Sequence, residues 1–378
     1  MPTGSRSDDA KRARVRVHYP LAGRRLALRS DRDWDEDIEP VAEDASGTCV
    51  TFELTWEQGI YSYWKPVLYD EDGLHWAQGE NYLALAGSLA AAAPAGSGAG
   101  GAGRRRAPAG APPAGRSRRG RPAAAPPERD VYPHFFGDAG CSECGIIRRR
   151  SSDGLREHAL RVFYPPGYDE NTLESFPVVY MQDGQNLFFP QEAFGGNPWR
   201  IGECLRILDA MNLIRKVIVV GIYPRDRMQD YTQEGYESYG RFLVEEVKPW
   251  IDATYRTLPG AATTVTMGSS LGGLVSLLLG WRWPEVFGCV GCLSSTFGWR
   301  DELFARLGSE PKRPIRIYLD SGWPRDNYEV TRAMRDLLAA RGYAEGRDLL
   351  YLAFPRATHD EASWAMRAHI PFQFFFGG

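Results

Sequence analysis

From residue 88 to residue 130 the chain consists almost entirely of Ala, Gly, Pro and Arg, with no apolar period and nothing able to build a core. Folded structure must therefore lie on either side of it. The expected organisation is a disordered start over residues 1–13, a folded unit over 14–87, a disordered tether over 88–130, and a second folded unit over 131–378. A flexible chain of the tether's length spans roughly 35 Å, enough to let the two units meet or separate.

The first unit is written in alternating runs. Arg14-Val15-Arg16-Val17-His18-Tyr19, Cys49-Val50-Thr51-Phe52-Glu53-Leu54 and the run from Tyr61 to Tyr69 alternate apolar with polar residues, and turn residues such as Asp72-Gly73 stand between runs. That pattern predicts a small all-β sandwich of the immunoglobulin-like or carbohydrate-binding-like kind. Its aromatics, Trp34, Trp56, Tyr61, Tyr63, Trp64 and Trp76, read as core or interface packing in preference to ligand stacking.

The second unit alternates apolar runs with amphipathic stretches. Strands are expected at 159–164, 177–182, 216–222, 263–268, 286–293, 315–320 and 348–354, and helices at 236–255, 271–281, 327–340 and 360–376. Strands apolar throughout, interleaved with helices, imply a mostly parallel sheet covered on both faces.

Composition narrows the function. The net charge of −3 and the sequence pI of about 6.1 offer no general attraction to nucleic acid or to an anionic membrane. The tether's arginines (Arg104, Arg105, Arg106, Arg116, Arg118, Arg119 and Arg121) lack interleaved aromatics for base stacking and read as a solvated linker. A polar amino terminus without a secretory apolar core, and no span of membrane-crossing length, make the cytoplasm the expected compartment. Of the six cysteines, Cys141/Cys144 and Cys289/Cys292 have zinc-ligand spacing. The second pair falls in an apolar strand-like run where positions three apart face opposite ways, so no metal site is expected.

Gly268-Ser269-Ser270-Leu271-Gly272 is a G-x-S-x-G motif. It follows the strand expected at 263–268 and opens the helix expected at 271–281, the setting of the nucleophile elbow of α/β-hydrolases. A serine hydroxyl needs a base, and the base needs an acid to fix its tautomer. Downstream of Ser270 stand only His359 and His369. His359 follows the strand at 348–354 after a short loop, whereas His369 falls inside the last expected helix, so His359 is the candidate base. The acid belongs after the strand at 315–320, where Asp320 and Asp326 both stand. Asp326, in the loop that enters a helix, has the better reach and is preferred. One oxyanion donor is expected from the backbone N–H of Leu271 and a second from that of Gln185 in the turn Asp183-Gly184-Gln185-Asn186. Trp199, Arg227, Tyr231 and Trp323 fall in loops around the same edge and are candidate substrate-binding residues.

These residues carry a resemblance. The stretch from Val178 to Phe188, the stretch Gly268 to Gly273, the stretch Ile317 to Gly322 and Thr358-His359-Asp360-Glu361-Ala362-Ser363-Trp364 resemble the putative-esterase family of enterochelin esterases, S-formylglutathione hydrolases, feruloyl esterase domains and mycolyl transferases. The resemblance implies Ser270 as nucleophile, His359 as base and Asp326 as acid, with 227–231 as a substrate-side loop. The first unit is similar to the β-sandwich that precedes the hydrolase in enterochelin esterases.

The expectation is thus a serine esterase acting through an acyl-enzyme, without metal or organic cofactor, on a small-molecule or glycan ester, with no nucleic-acid or membrane partner. An acyltransferase on the same scaffold and a non-catalytic binding protein with a hydrolase fold are the rival readings.

Overall fold

A computed structural model describes residues 11–57, 61–85, 128–137, 145–152, 154, 156–232, 235–299 and 303–377. The tether's arginines, together with Cys141 and Cys144, lie outside those residues.

The first unit contains β1 (Lys11–His18), β2 (Arg25–Ser30), β3 (Asp33–Ile38), β4 (Ala42–Glu43), β5 (Cys49–Trp56), β6 (Tyr61–Asp70), β7 (Gly73–Trp76), β8 (Tyr82–Leu85) and β9 (Glu128–Val131). One sheet has the order β4-β5-β1-β9, and the other has the order β3-β2-β6-β7, with β8 paired to β6. Alternate residues of both sheets, Val15, Val17 and Phe52 from one and Leu26, Leu28 and Trp64 from the other, bury into one core. This is the sandwich that the two-residue period demands.

Two boundaries shift. Lys11–Ala13, expected in the disordered start, belong to β1, and residues 128–130, expected in the tether, pair in parallel with Arg14–Arg16. Backbone pairing needs no apolar side chain, which is why Glu128, Arg129 and Asp130 carry no strand signal.

The second unit is an eight-stranded sheet of β10 (Ile147–Arg150), β11 (Glu157–Phe163), β12 (Val178–Gln182), β13 (Ile218–Ile222), β14 (Thr264–Ser269), β15 (Cys289–Leu293), β16 (Arg316–Trp323) and β17 (Leu349–Pro355). Its order is β10-β11-β13-β12-β14-β15-β16-β17, with β11 antiparallel to both neighbours and the strands from β13 to β17 parallel. Neighbouring residues of one strand bury on opposite faces. Val178 and Tyr180 join one core cluster and Val179 and Met181 the other, so both faces are covered. Cys289 and Cys292 likewise belong to different clusters, on opposite faces of the sheet. The fold is an α/β-hydrolase preceded by a small all-β sandwich.

The helix Leu271–Arg282 is buried almost throughout, under the sheet at its centre. The stretch expected as one last helix is two, Glu361–Arg367 and His369–Phe376. Pro371 has no N–H to give the carbonyl of Arg367, four residues back, and the break falls between them.

The units touch at a defined place. Glu170 accepts the Tyr19 hydroxyl at 3.0 Å and the backbone N–H groups of Phe135 and Phe136 at 2.6 and 3.0 Å. Asn171 donates to the carbonyls of His18 and Pro133, and Asn212 to that of Glu80. Residues 170–171 follow β11 and precede β12, and residue 212 precedes β13, so the sandwich docks at the amino-terminal edge of the parallel strands.

Candidate active site

Ser270 sits between β14 and the helix Leu271–Arg282 with φ 55° and ψ −121°, a conformation side-chain-bearing residues rarely adopt. The turn is tight because its flanks are glycine. A Cβ on Gly268 would lie 2.7 Å from the carbonyl carbon of Gly272, and one on Gly273 would lie 1.9 Å from Ser295 Oγ. The strained turn lifts the Ser270 side chain out of the sheet at the carboxyl ends of the strands, opposite the sandwich.

Three distant side chains meet there. Ser270 Oγ lies 3.0 Å from His359 Nε2, and His359 Nδ1 lies 2.6 Å from Asp326 Oδ1. The Ser270 hydroxyl also lies 3.2 Å from Thr296 Oγ1, a neighbour the sequence did not single out. Asp326 is 2% exposed, yet its carboxylate stays below the usual range. Burial opposes ionisation, but His359, the Ser294 hydroxyl at 2.5 Å and the Gly322 N–H at 2.8 Å all hydrogen-bond to the ionised form.

Asp320, the other acid candidate, does not reach the histidine. It is fully buried, receives both close contacts of Arg367 Nε at 3.1 Å and accepts the Tyr318 hydroxyl at 2.8 Å. Burial pushes its carboxyl up to about 6 despite the adjacent Arg367 guanidinium.

The backbone N–H of Leu271, first in its helix, and that of Gln185, in the single turn Gly184–Asn186 after β12, have no hydrogen-bond acceptor among the described residues. First-turn N–H groups lack intrahelical acceptors, so both remain available to an anion. Asp183, with φ 55°, starts the turn that carries Gln185.

A family model described as putative esterase matches residues 152–367, more than half of the chain. The chain belongs to the putative esterase family. The chain is 23% identical over 177 residues to YbbA of Bacillus subtilis, a match covering 43% of the chain and 66% of YbbA, just under two thirds of its length. It is 26% identical over 209 residues to the endo-1,4-beta-xylanase/feruloyl esterase of Xylanibacter ruminicola, covering 54% of the chain and 27% of that protein. The enterobactin esterase FES of Shigella flexneri shares its fold over 98% of this chain and 94% of FES, at a TM-score of 0.51 and 13% identity.

Of the expected substrate residues, two are corrected. Tyr231 is fully buried, with its hydroxyl accepting the Asp183 N–H at 2.9 Å, and Trp199 is 4% exposed, its ring tilted against that of Trp364 in the core. Aromatic residues in loops look the same in sequence whether they line a cleft or brace it from behind. Arg227 is half-buried and makes two 2.9 Å hydrogen bonds to the Asp183 carboxylate, so it steadies the turn carrying Gln185. Trp323 is 47% exposed at the end of β16. Ser294 and Arg367, which crowd with Trp364 behind Asp326, carried no functional signal in the sequence. Serine in a strand end and arginine in an amphipathic helix are ordinary there.

Proposed function

We propose that the chain hydrolyses a carboxylic ester in two steps through a covalent acyl-enzyme on Ser270. His359 Nε2 takes the hydroxyl proton as Ser270 Oγ attacks the ester carbonyl, and the carbonyl π electrons move to oxygen to give a tetrahedral oxyanion. The N–H groups of Leu271 and Gln185 stabilise that oxyanion. As it collapses, the C–O bond to the alcohol breaks and the imidazolium returns its proton to the leaving oxygen. Water, deprotonated by the same imidazole, then attacks the acyl-enzyme, and the acid departs as Ser270 regains its hydrogen. Asp326 keeps Nδ1 protonated and stabilises the imidazolium without taking the proton.

The observation that carries this reading is the continuous hydrogen-bonded chain Ser270–His359–Asp326, at 3.0 and 2.6 Å, next to a strained elbow. Because curated and structural relatives are named for feruloyl and enterobactin esters, the substrate proposed is an ester of a glycan or siderophore kind. Replacing Ser270→Ala should lower kcat by about 10⁴-fold or more on the best ester of a panel spanning feruloyl esters, acetylated sugars and siderophore lactones, and should abolish labelling by a fluorophosphonate. Retained turnover in that variant would falsify the mechanism.

A further inference from the structure

A second tier of buried groups stands behind the acid. Arg367, 3% exposed, places two of its nitrogens on two different carboxyls: Nε on both oxygens of Asp320 at 3.1 Å, and Nη2 on Oδ2 of Asp326 at 3.3 Å. Nη2 also donates to the Ser294 hydroxyl. That hydroxyl is fully used: it accepts from Arg367 and, at 3.0 Å, from Trp364 Nε1, and it donates to Asp326 Oδ2 at 2.5 Å. Ser294 itself has φ 45°, a left-handed conformation held by its N–H on the Asp320 carbonyl and by the Asn327 side-chain amide, which donates to the Ser294 carbonyl at 2.8 Å.

We propose that Arg367, acting with the Ser294 hydroxyl, is a positioning residue that locks the Asp326 carboxylate in the orientation His359 requires. The proposal rests on the triad reading given above. A carboxylate has one soft torsion, and Oδ1 can stay aimed at the imidazole only if Oδ2 is held. Three donors hold it: Gly322 N–H, the Ser294 hydroxyl and Arg367 Nη2. Two of the three depend on the guanidinium, one directly and one through Ser294. The same short helix, Glu361–Arg367, begins two residues after His359 and presents Trp364 and Arg367 one turn apart. The Trp364 ring stands edge-on to the His359 ring, with centroids 5.0 Å apart, so base and acid are both braced by that turn.

The competing role for Arg367 is that of counter-ion to Asp320 alone, and the experiment separates the two. Arg367→Met by itself leaves two buried carboxyls without a cation and can fail to fold. The double variant Asp320→Asn with Arg367→Met removes one buried charge of each sign and spares Asp326. With Asp320→Asn as the reference at near wild-type kcat, the double variant should fold, lose kcat by about 10- to 100-fold and change KM by less than about threefold. Ser294→Ala should lower kcat about tenfold with the same KM pattern. Wild-type kcat in the double variant, or equal loss in Asp320→Asn alone, would overturn the positioning role, as would wild-type kcat in Ser294→Ala. Failure of the triad reading would instead show as activity surviving Ser270→Ala.

Discussion

Glu174 is a carboxyl buried where the two units meet, 6% exposed and lining a cavity of about 700 Å³ with Trp64, Tyr82, Asp209 and Lys216. Burial pushes its pKa up to about 7, against the pull of Lys216 and Arg215. The folded chain therefore keeps a proton on Glu174 that the unfolded chain has already lost from the ordinary glutamate range upward. Stability from this group is complete at acid pH and is lost as pH climbs from about 4.5 to 7, the sign for any carboxyl raised on folding. Replacing it by Glu174→Gln should raise unfolding stability by about 3 kcal/mol above pH 7 and change it little near pH 4. Denaturant titrations at several pH values would measure the difference, and a gain that does not depend on pH would contradict the assignment. Which single residues were legible in the sequence follows the same physics. Ser270, His359 and Asp326, which the structure brings together, stood out because the proposed reaction demands those atoms in that chain order. Arg367 and Tyr231 were not, because their roles come from what surrounds them. A charged residue in an amphipathic helix looks solvated, and only the fold shows it between two carboxyls.

Among elements, the elbow owes its legibility to sterics. Gly268 must lack a Cβ because the backbone of Gly272 and the Cβ of Gln182 lie 2.7 to 2.9 Å from where one would sit, and two of these three neighbours are backbone atoms that cannot swing away. Replacing Gly268→Ala should therefore shift the turn carrying Ser270. It should cost about 2 kcal/mol or more of stability and at least tenfold in kcat. Gly308→Ala is the contrasting case, since its Cβ would meet only Leu337 Cδ1 at 3.7 Å inside the helix Leu303–Ser309. There alanine should be neutral or stabilising by about 0.5–1 kcal/mol. Thermal melts of the two variants would check the pair, and equal effects would refute the steric account. The strands of the sheet centre announced themselves through unbroken apolar runs, as at β12 and β13. β10 did not. Its Ile-Arg-Arg-Arg sequence pairs only with β11 at the edge of the sheet, where one neighbour suffices and no second apolar face is needed. Helix Ile201–Ala210 also carried too short an apolar period to stand out between loops, although Leu205 and Leu208 bury one face of it.

In the whole molecule, the sandwich and the Ser270–His359–Asp326 cluster occupy opposite edges of one sheet. The contacts through Glu170, Asn171 and Asn212 gather before β12 and β13, whereas Ser270, Asp326 and His359 follow β14, β16 and β17. The tether's composition made the division into two units legible, but nothing in the sequence said at which edge they meet, because interface residues such as Glu170 are polar and read as surface. This placement separates stability from chemistry. Glu170 is the acceptor for three donors from the sandwich side, so Glu170→Ala strands the N–H groups of Phe135 and Phe136 together with the Tyr19 hydroxyl. Losing hydrogen bonds to a charged acceptor should cost about 2–3 kcal/mol. Phe135 belongs to the sandwich core, and loosening it should make the sandwich the first part to melt or to be cut by protease. On a small soluble ester at 25 °C, kcat should stay within about twofold of the wild type, because no group of the catalytic edge rests on Glu170. If kcat instead falls in step with the melting temperature, the two edges are coupled through the sheet and the sandwich does more than dock.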